Sequence, residues 1–212
     1  MADYSDRLWV GNIHIHERGI YNVSFSVDAG KPTALVGIVG SGKTSIFDAI
    51  AGLIDWYGVI NHIGKNGNIG YVTQEPIIFQ GTVKDNLDYV GLDWRKHIFC
   101  HRIPFSVEVG ERGQKLSGGQ RQLLSLTRIQ AGDPKIWLLD EPTSAMDNEI
   151  NKEAIDWILS QACGKIILLA THKLENARRF SQILVLHKGI IAESGDHDSL
   201  MKNNGPYRRL WD

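Results

Sequence analysis

Residues 33–36 form a short apolar run, and the eight residues after it are GIVGSGKT, from Gly37 to Thr44. A stretch with helix-like apolar spacing, 43–53, comes next. Glycines at this density let the backbone take positive φ and curl tightly. A strand, a curled loop and a helix in that order bring successive N–H groups together into an anion-binding nest, and the helix start adds about half a positive charge. Gly37-x4-Gly42-Lys43-Thr44 fits the phosphate-loop pattern. Gly37, Gly40, Ser41, Gly42 and Ser45 lie where donors to a phosphate are needed. Lys43 supplies a full charge for β- and γ-phosphates, and the Thr44 hydroxyl suits Mg²⁺. Nucleotide binding is therefore expected, but the reaction it serves does not follow from the loop.

The chain has 212 residues, which suits one domain able to bury a substantial core. Its net charge of −1 gives no support to a protein that neutralises nucleic-acid phosphates, so no nucleic-acid partner is expected. Cys100 and Cys163 are the only cysteines, which fits a reducing compartment better than a disulfide scaffold. No apolar run approaches the ~18–20 residues of a membrane helix. The start, MADYSDRLWVGN, lacks the basic and apolar regions of a signal peptide. If the protein works at a membrane, another chain or segment must supply the span.

Short strands are expected at 8–15, 21–27, 33–36, 59–62, 69–72, 136–139 and 166–170. A hairpin is expected at 183–186 and 190–193 around Lys188-Gly189. Helices are expected at 43–53, 118–131 and 148–162, with a short one from Asp196. The signals over 82–105 are mixed and read as helical. The alternation implies an α/β fold with a mainly parallel core sheet and antiparallel strands at the start.

Two further motifs carry chemistry. Leu116-Ser117-Gly118-Gly119-Gln120 opens a helix, with Ser117 as N-cap and two glycines leaving N–H groups open to an anion. The run 136–141, IWLLDE, is an apolar strand ending in two acids, at the strand end where open α/β sheets bind ligands. Asp140 suits the shell of Mg²⁺, and Glu141 suits polarising an attacking water.

In series, GIVGSGKT, Gln74 in YVTQEPIIF, LSGGQ, IWLLDE, Ser144-Ala145-Met146-Asp147 and Thr171-His172 resemble the nucleotide-binding domain of ATP-binding-cassette (ABC) transporters over about residues 8–211. The resemblance implies a P-loop NTPase fold of the ABC type. It comprises one ABC ATPase domain over 1–212, with an N-terminal antiparallel β subdomain and a short helical subdomain, about 82–131, carrying LSGGQ. It also implies hydrolysis of ATP with Mg²⁺ between two such domains paired head to tail, as a homo- or heterodimer. Ser117, Gly118, Gly119 and Gln120 would then meet the nucleotide held by the other glycine loop. Gln74 would touch Mg²⁺, His172 would hold the γ-phosphate and attacking water, and Asp147 would communicate across the pair. EPIIFQGTVKDNL, Val109-Gly110-Glu111-Arg112-Gly113 and the tail GDHDSL look like exporter-type domains. These imply a transmembrane partner, on the same polypeptide or a separate subunit, and a place at the cytoplasmic face of a membrane. The family stacks adenine on an aromatic residue near the position of His16. The alternatives are a soluble ABC ATPase of the DNA-repair or translation type, and a regulatory module that binds ATP without turnover. The absence of long insertions disfavours the first, and the presence of Glu141 and His172 the second.

The six tryptophans read as core or rim packing. Arg178-Arg179 and Arg208-Arg209 read as solvated faces. His62, His97, His101, His187 and His197 show no metal-ligand spacing, and Cys100-His101 lacks further ligands.

Overall fold

A computed structural model of the protein describes residues 6–61, 69–89, 91, 99 and 101–212. His62, His97 and Cys100 lie outside these residues, as does much of the 82–105 stretch expected to be helical.

The apolar runs become strands because nearly every residue in them has a core to enter. Strands β3 (Thr33–Val36), β6 (Ile136–Asp140), β7 (Ile166–Thr171) and β8 (Gln182–His187) are buried along most or all of their length. With β5 (Ile69–Val72) and β9 (Ile190–Gly195) they form one sheet, ordered β5-β6-β7-β3-β8-β9, parallel except for the β8–β9 hairpin. Alternate residues serve opposite faces. Leu35, Ile136, Leu138, Leu168 and Leu184 enter one core; Val36, Trp137, Leu139, Leu169 and Val185 enter the other.

The first core is closed by a second sheet of antiparallel strands, β1 (Arg7–Ile15), β2 (Ile20–Asp28) and β4 (Tyr57–Asn61), in the order β2-β1-β4. Helix α1 (Lys43–Ile50) lies in the same core and buries Ile46, Phe47, Ala49 and Ile50. The second core lies under α2 (Val83–Asp88), α3 (Gly118–Ala131) and α4 (Asn148–Ser160). Three short helices, α5 (Leu174–Ala177), α6 (His197–Lys202) and α7 (Pro206–Trp211), complete it. Trp137 and Trp157 are core residues with rings 5.5 Å apart, whereas Trp9 is 40% exposed on the antiparallel sheet.

Three expectations need correction. The tail is two helices, because Pro206 can start a helix but not continue one. Helix α5 follows β7 over four residues, too few to show a periodicity. Among the described residues of 82–105, only Val83–Asp88 is an α-helix. Beyond that stretch, Glu108 pairs with Thr82 in an isolated antiparallel β-bridge. No helix among the described residues is long and apolar enough to cross a membrane.

Candidate functional site

Because the core strands are parallel, their C-terminal ends share one rim. Sheet order makes β5, β6, β7 and β3 neighbours there, so the segments bearing Gln74, Asp140-Glu141, Thr171-His172 and the glycine loop emerge side by side. The register is level: Val36 faces Thr171, Asp140 faces Ala170, and Val72 faces Leu139.

The glycine loop is shaped by its own backbone. Gly40 and Gly42 have φ of +78° and +101°. A Cβ on Gly42 would also lie 2.2 Å from Ile20 Cδ1, the movable tip of a side chain, so it is the conformation that demands glycine. Lys43 is buried at the start of α1, where its amine donates to the carbonyls of Gly37 (2.9 Å) and Ile38 (3.2 Å). Burial pushes its pKa down, opposed by Glu141 and Asp140. Ser41 Oγ is buried with no hydrogen-bond partner. An unfilled hydroxyl, a lysine and an open loop before a helix start fit a phosphate.

Thr44 Oγ1 donates to Asp140 Oδ2 at 2.6 Å, tying α1 to the end of β6. Burial pushes the Asp140 pKa up, opposed by the Thr44 bond, while Glu141 beside it pushes the same way as burial. A hydroxyl beside a carboxylate is a hard-oxygen pair of the kind that can hold Mg²⁺. No cluster of three or more His, Cys, Asp or Glu suited to a metal occurs among the described residues. The fit to an ion therefore needs oxygens from phosphate or water as well.

Glu141 follows directly and is buried at 7% exposure. Its Oε1 lies 2.8 Å from His172 Nδ1, a bond in which the imidazole donates when Nδ1 carries the proton. Thr171 Oγ1 lies 3.5 Å from Oε2. The two residues the sequence singles out for catalysis thus form a pair, and half of the His172 side chain faces solvent. Glu141 holds φ +49°, uncommon for a non-glycine residue. This turn is held by residues the sequence reading missed. Gln122 Nε2 donates to Glu141 O and Ser144 Oγ, and Lys173 Nζ donates to Thr143 O. Asn176 pairs reciprocally with Asn151, both bonds 2.9 Å, and reaches Thr143 Oγ1. Gln122 lies one turn after Gly118 on α3, a spacing that could have put it on the helix face meeting this turn. Asn176 gave no signal.

The remaining candidates are dispersed. Ser117 caps α3 in a capping box: its Oγ accepts from Gln120 N, and Gln120 Oε1 accepts from Ser117 N. Gly118 and Gly119 form the first turn of α3 against Ala145. Asp147 caps α4 through Ile150 N. Ser45 is buried in α1, and Gln74 is exposed beyond β5. Gln74 faces Gly118, Ser144 and Ala145 across an open groove. His16 is exposed beyond β1, its ring 5.8 Å from His14, 6.0 Å from Tyr21 and 5.9 Å from Tyr57. An aromatic ring can be offered there by Tyr21 and Tyr57 as well as by imidazole.

The family profile described as ABC transporter matches residues 20–144. The chain is 36% identical to the ABC multidrug transporter atrC of Emericella nidulans, over 89% of this chain and 17% of that one. It is 33% identical to the ATP-dependent lipid A-core flippase of Syntrophus aciditrophicus, over 89% of this chain and 36% of that one. It thus spans well under half the length of these relatives. The solved structure of a bacterial Atm1-family ABC exporter with ATP bound superposes with a TM-score of 0.87 and 27% identity. That match covers 100% of this chain and 42% of the exporter.

Proposed function

The chain belongs to the ABC transporter family as an ATP-binding domain, and from that premise we propose that it hydrolyses ATP as one of a pair and drives the membrane-spanning part of an exporter. The observation that carries this is the convergence on one rim of Lys43, the Thr44–Asp140 pair and the Glu141–His172 pair. Lys43 and the glycine loop hold the β- and γ-phosphates. Thr44, Asp140 and Gln74 would hold Mg²⁺, whose charge offsets that of the phosphates when it is bound. Glu141 orients a water and takes its proton, and His172 supports both Glu141 and the γ-phosphate. His16, with Tyr21 and Tyr57 beside it, offers the face against which adenine stacks.

One chain carries an α3 start that its own loop does not use. In the pair, Ser117, Gly118 and Gly119 of one copy face the nucleotide on the other, so two positive helix starts meet one polyanion. The second cassette is a copy of this chain or a different one, and the membrane partner lies on the same polypeptide or another. The working place is the cytoplasmic face of a membrane. The exporters among the relatives do not favour the soluble alternative.

Glu141→Gln keeps the shape and removes the base. Its mass in solution is expected to double with Mg-ATP while hydrolysis falls by about 10²-fold or more. Hydrolysis at the wild-type rate would remove Glu141 from the mechanism.

A further inference from the structure

The turn that carries Glu141 has no regular structure to hold it. Glu141 N donates to Ala170 O of β7, and the backbone bonds that follow are local, from Ser144 N to Glu141 O and from Met146 N to Thr143 O. Glu141 itself sits at a positive φ that its own side chain does not favour. Something outside the turn must hold it, and the largest share of that comes from one side chain. Gln122 is 3% exposed. Its Nε2 donates to Glu141 O at 3.1 Å and Ser144 Oγ at 2.8 Å, and its Oε1 accepts from Ala145 N at 3.0 Å. A side-chain amide donates from its nitrogen and accepts at its oxygen, so one group can serve both needs. Here it fills three backbone or hydroxyl valences of a single turn.

The same helix face touches the turn one turn earlier. A Cβ on Gly118 would lie 2.8 Å from Ala145 Cβ, and one on Gly119 3.2 Å from Ala145 O. The start of α3 and the Glu141 turn are therefore one packed unit, with Gln122 as its polar strut. We propose that Gln122 is a positioning residue for ATP hydrolysis, fixing the main chain of Glu141 to the start of α3. This rests on the reading of Glu141 given above. The glycine loop takes no part in the strut, so the loop's own hold on the nucleotide is independent of it.

The test compares ATP hydrolysis by the whole chain for wild type, Gln122→Met, Gln122→Glu and Glu141→Gln. Thermal unfolding of each, and hydrogen exchange at the Ala145 amide, are measured alongside. Gln122→Met keeps the volume and loses all three bonds. It is expected to lower kcat by about 10- to 100-fold, the scale of a small misplacement of a reacting group, with KM within about twofold of wild type. Ala145 exchange then rises. Gln122→Glu keeps the acceptor for Ala145 N and loses both donated bonds, so kcat falls while Ala145 stays protected. Should Gln122→Met not fold, Gln122→Glu decides. A kcat within twofold of wild type in a folded variant overturns the strut. A KM that rises by the factor kcat falls also overturns it, because a merely structural role loosens the whole rim. If the wild type does not turn over ATP, or Glu141→Gln does so at the wild-type rate, the reading of Glu141 fails and the strut falls with it.

Discussion

The loop after β3 and the turn after β6 leave the same rim, and they are held in opposite ways. The glycine loop is held from within. Its shape comes from the dihedral freedom of Gly40 and Gly42, and its lysine is folded back onto its own carbonyls. Its tip is bare: Ile38 is 59% and Val39 88% exposed. The Glu141 turn is held from without, by Gln122 of α3, Lys173 beyond β7, and Asn176 of α5 through Thr143. A site that must wrap a flexible polyphosphate is built of backbone that can adapt. A site that must aim one carboxylate is built of side chains that fix it.

Lys43→Ala tests that division most strongly. It removes the charge nearest the phosphates and is expected to weaken ATP binding by about 10- to 100-fold, the value of a charge-assisted bond of ~1.5–3 kcal/mol. The Ala145 amide should keep its hydrogen-exchange protection, because nothing in the strut depends on Lys43. Unchanged affinity by titration calorimetry, or a loosened turn, would break the comparison.

Asn176→Ala works from the other side. It leaves Asn151 without its buried partner and takes one support from Thr143, at a cost of about 1–3 kcal/mol. For a chain of this size that is about 2–4 °C of Tm per kcal/mol. ATP affinity should hold while kcat falls severalfold. An equal loss in both would mean that the loop and the turn are not separate supports.

Asp140→Asn is the smallest effect and has the opposite sign for stability. Burial raises the Asp140 pKa, so the ionised carboxylate costs the fold. That cost is present above the raised pKa and is lost as pH falls through it. Asparagine can still accept from Thr44 Oγ1 and carries no charge. Tm should therefore rise at neutral pH, and the gain should shrink as pH falls into the carboxylate range, read by calorimetry. Hydrolysis should fall even as stability rises. A Tm that drops at neutral pH would show that Asp140 is favoured by Lys43 more than it is penalised by burial.

The same division governs what could be read in advance. The glycine loop was legible because its determinants are consecutive residues with one strand before and one helix after. The core strands were legible because runs such as 166–170 bury both faces, which needs unbroken apolar sequence. The capping of α3 by Ser117 was legible from a serine just before the helix, and Gln120 completes the box in the structure. The supports of Glu141 were not, because Gln122, Lys173 and Asn176 come from separate elements and meet only in three dimensions. Helix α5 was missed for the related reason that four residues, Leu174–Ala177, carry too little periodicity to register. Over 82–105 the mixed signal, read as helical, holds for Val83–Asp88, while Thr82 at its start pairs in an extended bridge with Glu108.

The strand order has a metric consequence. Neighbouring strands lie about 4.8 Å apart, so the roots of the glycine loop, the His172 segment, the Asp140-Glu141 segment and the Gln74 segment stand at successive ticks spanning roughly 14 Å. The sheet acts as a ruler whose marks are hydrogen-bond ladders. Insertions in the surface segments cannot rescale it. A slip of one residue in any ladder would carry its group about 3.3 Å along the strand and turn it to the other face of the sheet. Tolerance to change should therefore be graded by distance from the ladder, with the segments between elements free to vary in length and the four strands fixed in register.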